Sequence, residues 1–98
     1  MECHFLPEAQ RELEDAFAYY ESEREGLGSE FAVEVWRTIG RIQELPNAWP
    51  RMTKRVRRCR TNRFPYGIVY HPRKDRILII AVAHLRRRPF YWRGRKEQ

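Results

Sequence analysis

The stretch Tyr66-Gly67-Ile68-Val69-Tyr70-His71, then Pro72-Arg73-Lys74-Asp75, then Ile77-Leu78-Ile79-Ile80-Ala81-Val82-Ala83-His84, decides the fold. Its two flanks are dense in β-branched and aromatic residues, and the four residues between them are turn formers, so the stretch predicts an antiparallel hairpin. The second flank reads as a central strand. Working back towards the N-terminus, Val56 to Arg60 reads as a weaker strand. Arg57 and Arg58 would point to opposite faces of it, so one of them needs an edge, a partner or a ligand.

Before Pro46 the period changes. Ala9, Leu13, Ala16, Phe17 and Tyr20 recur at helical spacing behind Pro7, a good first helical residue. Phe31, Val35, Ile39, Ile42 and Leu45 repeat the pattern behind Ser29, which is placed to cap a second helix that Pro46 stops. Two amphipathic helices joined by a short Gly-containing connection fold back as an antiparallel pair. With Cys3 to Leu6 as an added strand, the reading is α+β: βααβββ, an antiparallel sheet covered on one face by an N-terminal helical hairpin. At 98 residues, 42% of them hydrophobic, positions 1–98 make one domain. The sheet face left uncovered would be the basic one.

Charge divides the chain more sharply than its total of +7 shows. Residues 1–50 carry 4 Arg against 11 Asp and Glu, whereas residues 51–98 carry 13 Arg and 3 Lys against 2 acids. A positive half of that size points to a polyanionic partner or an acidic protein segment. The run His84 to Arg95 adds a pattern to the charge, interleaving Arg86, Arg87, Arg88, Arg93 and Arg95 with Phe90, Tyr91 and Trp92. Cations alternating with aromatic platforms suit single-stranded nucleic acid, although Tyr91 and Trp92 can equally fold back onto the sheet. No charged-then-apolar leader precedes the first helix, and the longest apolar run, Ile77 to Ala83, is too short to span a bilayer. A cytoplasmic protein without membrane contact is the expectation. Cys3 and Cys59 read as buried thiols, and His4, His71 and His84 lack metal-ligand spacing, so neither a metal nor another cofactor is expected.

Taken together these segments resemble the RelE/ParE superfamily of bacterial toxins from type II toxin-antitoxin systems, and its ParE-like branch in particular. The resemblance rests on Phe5-Leu6-Pro7-Glu8-Ala9 leading into a helix with Tyr19-Tyr20, on Val56-Arg57-Arg58 followed by Arg63-Phe64-Pro65-Tyr66-Gly67, and on Asp75-Arg76-Ile77 through His84 to Arg87-Arg88-Pro89 and Tyr91-Trp92. It implies a toxin of a plasmid-stabilisation or addiction pair, neutralised by a cognate antitoxin whose acidic or amphipathic C-terminal segment wraps around it. Two targets remain open. ParE-like members inhibit DNA gyrase and catalyse no reaction, while RelE-like members are ribosome-dependent endoribonucleases that cut mRNA. The resemblance favours gyrase, because RelE-type nucleases carry an arginine where Gly67 stands and lysines where this chain has arginines. For cleavage the candidate residues are Arg58, Arg60, Arg86, His84 and Tyr91, with His84 or Tyr91 moving protons and the arginines meeting phosphorane charge. For binding of target or antitoxin they are Arg57, Arg58, Arg63, Arg86, Arg87, Arg88, Trp92 and Arg93.

Overall fold

The computed structural model describes residues 1–97. A four-residue strand β1 (Glu2–Phe5) leads at once into helix α1 (Pro7–Glu23), because Pro7 needs no amide partner in the first turn. Helix α2 (Leu27–Glu44) returns alongside it. The start of α2 differs from the expected Ser29 cap. Gly26, at φ 86°, occupies the cap position, and the Glu21 carboxylate of α1 accepts the N–H groups of Gly26 and Gly28, both at 2.9 Å. An acid from the neighbouring helix thus does the work that a local hydroxyl would otherwise do. It requires close approach: a Cβ on Gly28 would lie 2.6 Å from the Phe17 carbonyl oxygen.

Strands β2 (Arg57–Arg60), β3 (Tyr66–Pro72) and β4 (Arg76–His84) complete a four-stranded sheet in the order β1-β4-β3-β2. The three later strands pair antiparallel as expected, but β1 lies parallel to β4, so the sheet is mixed. The direction follows from the path of the chain. β1 and α1 run on together, and the reversals at α1/α2, α2/β2, β2/β3 and β3/β4 bring β4 back to the direction of β1. Gln43, near the end of α2, donates to the Met1 carbonyl at 2.8 Å, and Pro46 accepts from the Tyr70 hydroxyl at 2.6 Å, so α2 ends where β2 has to start.

Between helices and sheet lies a core that includes Phe31, Val35, Ile39, Ile42, Ile68, Tyr70, Ile77 and Ile79. Each such side chain contributes about 1.5–3 kcal/mol by leaving water. The other sheet face is not bare, contrary to expectation. Trp92, 5% exposed, folds back onto it, and the segment 85–97 crosses there as a strap. Cys59 is buried and Cys3 half-buried, both as free thiols.

Candidate functional site

Cross-strand partners share a face, so the pairs Arg58↔Val69 and Arg60↔Gly67 place Arg58 and Arg60 together on the strap side of the sheet. Gly67 makes room for the first of them. A Cβ there would meet Arg58 Cδ at 2.8 Å and Cγ at 3.0 Å, so the aliphatic stem of Arg58 lies over the glycine, close to Leu85. Burial, and secondarily the charge of Arg60, lowers the pKa of Arg58. A narrow cleft of about 80 Å³ joins Arg58 to His84, Arg87, Arg88, Tyr91 and Trp92. Arg57 faces the other way and donates to the Trp49 carbonyl at 2.7 Å.

Both sequence-derived proton carriers already have partners. Tyr91 donates its hydroxyl to Glu12 Oε2 at 2.6 Å, and burial together with that carboxylate raises its pKa. A tyrosine held this way keeps its proton at neutral pH. His84 Nδ1 accepts the backbone N–H of Arg86 at 3.0 Å, which leaves the neutral ring's proton on Nε2. The ring therefore presents a donor, not a base, to anything in front of it.

Glu12 is the residue that composition and motif reading missed. Its carboxylate accepts Val82 N–H at 3.0 Å, Tyr91 O–H, and both terminal nitrogens of Arg95 at 2.9 and 3.0 Å. Arg95 reaches on to the Ile80 carbonyl at 3.0 Å. The edge of β4 beyond the end of β1 is thereby closed by side chains, which keeps it from pairing with another strand. A signal was available: Glu12 stands three residues after Ala9 and four before Ala16, both buried, and so borders the buried face of α1.

The strap cations differ in how far they are engaged. Arg87 stacks on the Tyr91 ring at 3.9 Å and Arg93 on Phe90 at 4.5 Å. Among the described residues, Arg58, Arg60, Arg86, Arg87, Arg88 and Arg93 form no ion pair with a carboxylate. Arg63 does, bonding Glu30 at 2.9 Å beside the start of α2, well separated from the strap in sequence and in pairing. Trp92, expected as a contact residue, is an interior one, because its indole covers the sheet. The geometry thus brings Arg58, Arg60, His84 and Arg86 to Arg88 to one end of the sheet, and leaves Arg57, Arg63 and Arg93 elsewhere.

The βααβββ chain has counterparts among known proteins. Residues 4–89 match the family described as the ParE toxin of the type II toxin-antitoxin system parDE. The chain belongs to the ParE toxin family. Among solved structures it resembles a chain of the chromosomal ParDE toxin-antitoxin system from P. aeruginosa, with TM-score 0.76 and 15% identity, covering 87% of this chain and 96% of that one. At that identity the likeness concerns the fold. No curated protein matches the chain. In this ParE-family chain the match ends at residue 89, before Tyr91, Trp92 and Arg95, so the strap's own members of the lock lie outside the matched span while Glu12 lies within it. No helix among the described residues is long and apolar enough to cross a membrane.

Proposed function

We propose that this chain is the growth-inhibiting member of a toxin-antitoxin pair and acts by binding DNA gyrase without catalysing a reaction. One observation carries the reading against a nuclease: Tyr91 is held by Glu12 and His84 Nδ1 by a backbone amide, so neither is poised to take a ribose 2′-OH proton. The cations unpaired by carboxylates among the described residues, Arg58, Arg60 and Arg86 to Arg88, suit a binding surface. The antitoxin we envisage lays an acidic or amphipathic C-terminal segment across that surface, and its affinity falls with salt because part of the attraction is between exposed charges.

The test is inducible expression with and without the neighbouring open reading frame, followed by two assays on purified protein. Block of plasmid supercoiling at micromolar protein, with ribosome-bound mRNA left intact, is the expected result. New 5′ ends on translated mRNA that disappear in a His84→Ala, Arg86→Ala double variant would replace gyrase by the ribosome as target. Antitoxin affinity unchanged between 50 and 500 mM salt, concentrations set on the order of a Debye length of 14 to 4 Å, would remove the electrostatic part.

A further inference from the structure

The end of the sheet away from His84 holds a separate cleft of about 530 Å³ between the β3–β4 hairpin and the strap. Leu78, Ile80 and Trp92 line it with apolar surface, Arg73 and Lys96 with cationic groups, and His71 with an imidazole. In its wall Glu97 accepts from Arg73 Nη1 at 3.0 Å and from Arg76 Nη2 at 2.5 Å, both on the single oxygen Oε1. Arg76 Nε, meanwhile, is buried with no hydrogen-bond partner among the described residues. Two guanidinium groups crowd one oxygen of a planar carboxylate while a third donor has nothing to bond. Buried donors rarely stay unsatisfied, so the arrangement calls for an acceptor with more oxygens, differently disposed.

A phosphate monoester has that shape. It offers three terminal oxygens at tetrahedral angles and more charge than a carboxylate, and arginine forks are well matched to it. We propose that Arg73, Arg76 and Lys96 form a phosphate-monoester site in which Glu97 is the chain's own stand-in, and that the apolar lining receives the body of the ligand, as in a nucleotide. The cleft is far larger than one carboxylate requires. Its field is positive even with Glu97 in place: His71 has its pKa lowered by burial first and then by the charges of Arg73 and Arg55. Arg93 and Arg95 also line the cleft, the latter already neutralised by Glu12. The site is independent of the gyrase reading, since its anion-binding groups, Arg73, Arg76 and Lys96, are distinct from Arg58, Arg60 and Arg86 to Arg88, and only the buried Trp92 lies between the two clefts.

The experiment uses the whole chain, with NMR of the His71 imidazole and the arginine side chains during titration with inorganic phosphate, AMP, and a short oligonucleotide bearing either a 5′-phosphate or a 5′-hydroxyl. Phosphate and AMP should move the Arg73 and Arg76 signals and raise the His71 titration midpoint, with AMP binding more tightly than phosphate. Glu97→Gln, which removes the competing charge, should tighten both by about threefold, the equivalent of one exposed ion pair. Arg73→Gln should abolish the response and Arg86→Ala should leave it unchanged. Binding of the 5′-phosphorylated strand alone, with AMP inert, would assign the phosphate to a nucleic-acid end, and a response to AMP would assign it to free nucleotides. The proposal is overturned if His71 and the arginines are unmoved in both the parent and Glu97→Gln proteins, if Arg73→Gln binds as before, or if an oligoglutamate peptide outcompetes AMP at this cleft.

Discussion

Replacing Glu12 with Ala should loosen the strap and cost the protein a large part of its stability. Four hydrogen bonds end on that carboxylate, three of them from Tyr91 and Arg95, and one from the Val82 amide at the open edge of β4. The side chains of Glu12 and Arg95 are 17% and 16% exposed, so the ion pair is largely shielded from water. Breaking one member of a buried pair typically costs about 3–5 kcal/mol, and the residual exposure here places the loss near the lower end, about 3 kcal/mol. For a chain of this length each kcal/mol lowers the Tm by about 4–8 °C, which predicts a fall of more than 10 °C or so. Urea unfolding followed by tryptophan fluorescence and circular dichroism measures it. A Glu12→Ala, Arg95→Ala cycle then isolates the pair, with a coupling of about 1.5 kcal/mol or more expected. Amide exchange at Val82 should speed up in the single variant. A loss under about 1 kcal/mol, or additive single variants, would show that the strap does not depend on this carboxylate.

Tyr66 and Tyr70 have pKa values pushed up to about 12, chiefly by burial, against about 10 in an unfolded chain. Both are neutral in either state well below pH 10, and above it the unfolded chain loses protons that the folded chain keeps, so their contribution to stability should fall between about pH 10 and 12, adding to a decline that the raised thiols of Cys3 and Cys59 begin at lower pH; a constant urea midpoint from pH 8 to 11 contradicts this. Gly28→Ala sets a Cβ 2.6 Å from the Phe17 carbonyl and 2.9 Å from Glu21 Oε1, and should cost about 2 kcal/mol by prising α1 from α2; scanning calorimetry showing an unchanged Tm rules it out. Trp92→Ala empties the space under the strap and should cost about 3–5 kcal/mol, whereas a surface aromatic would cost well under 1 kcal/mol.

How much of this could be read in the sequence depends on whether the information was local. The β-branched runs of β3 and β4 and the helical spacing of α1 and α2 were legible, because side-chain period reports directly on which face is buried. The sense of β1 was not, since period carries no direction; it emerges only when the reversals along the path are counted. Ser29 made a plausible cap from local chemistry, yet Glu21 of the neighbouring helix fills that role across the Gly26 turn. The loop before β3 shows the same limit. Buried Glu34 accepts the amides of Asn62 and Arg63, and Phe64, held at φ 70°, packs edge-on against Phe31. Nothing within the Asn62 to Phe64 sequence signals a left-handed phenylalanine, because an acid 28 residues upstream of Asn62 imposes it.

The aromatics of the strap are where charge pattern and fold parted, and the reason bears on function. In an arginine-rich run, Tyr91 and Trp92 read the same whether they face a ligand or the core; which way they face is decided by Glu12, 79 residues before Tyr91. Once Tyr91 is fixed, its ring becomes a platform for Arg87 and Arg95 from the protein itself, and Trp92 takes the sheet face that seemed free. Among the described residues the acidic half of the chain therefore forms ion pairs with the basic half at two selected points, Glu12 on Arg95 and Glu30 on Arg63. Among the described residues, Arg86 and Arg88 receive neither a carboxylate nor, unlike Arg87, an aromatic ring. If Arg86 and Arg88 meet an external anion as proposed, anchoring of the strap through Tyr91 and Trp92 would reduce the freedom they lose on binding, so the lock that hides those two aromatics would also serve the arginines beside them.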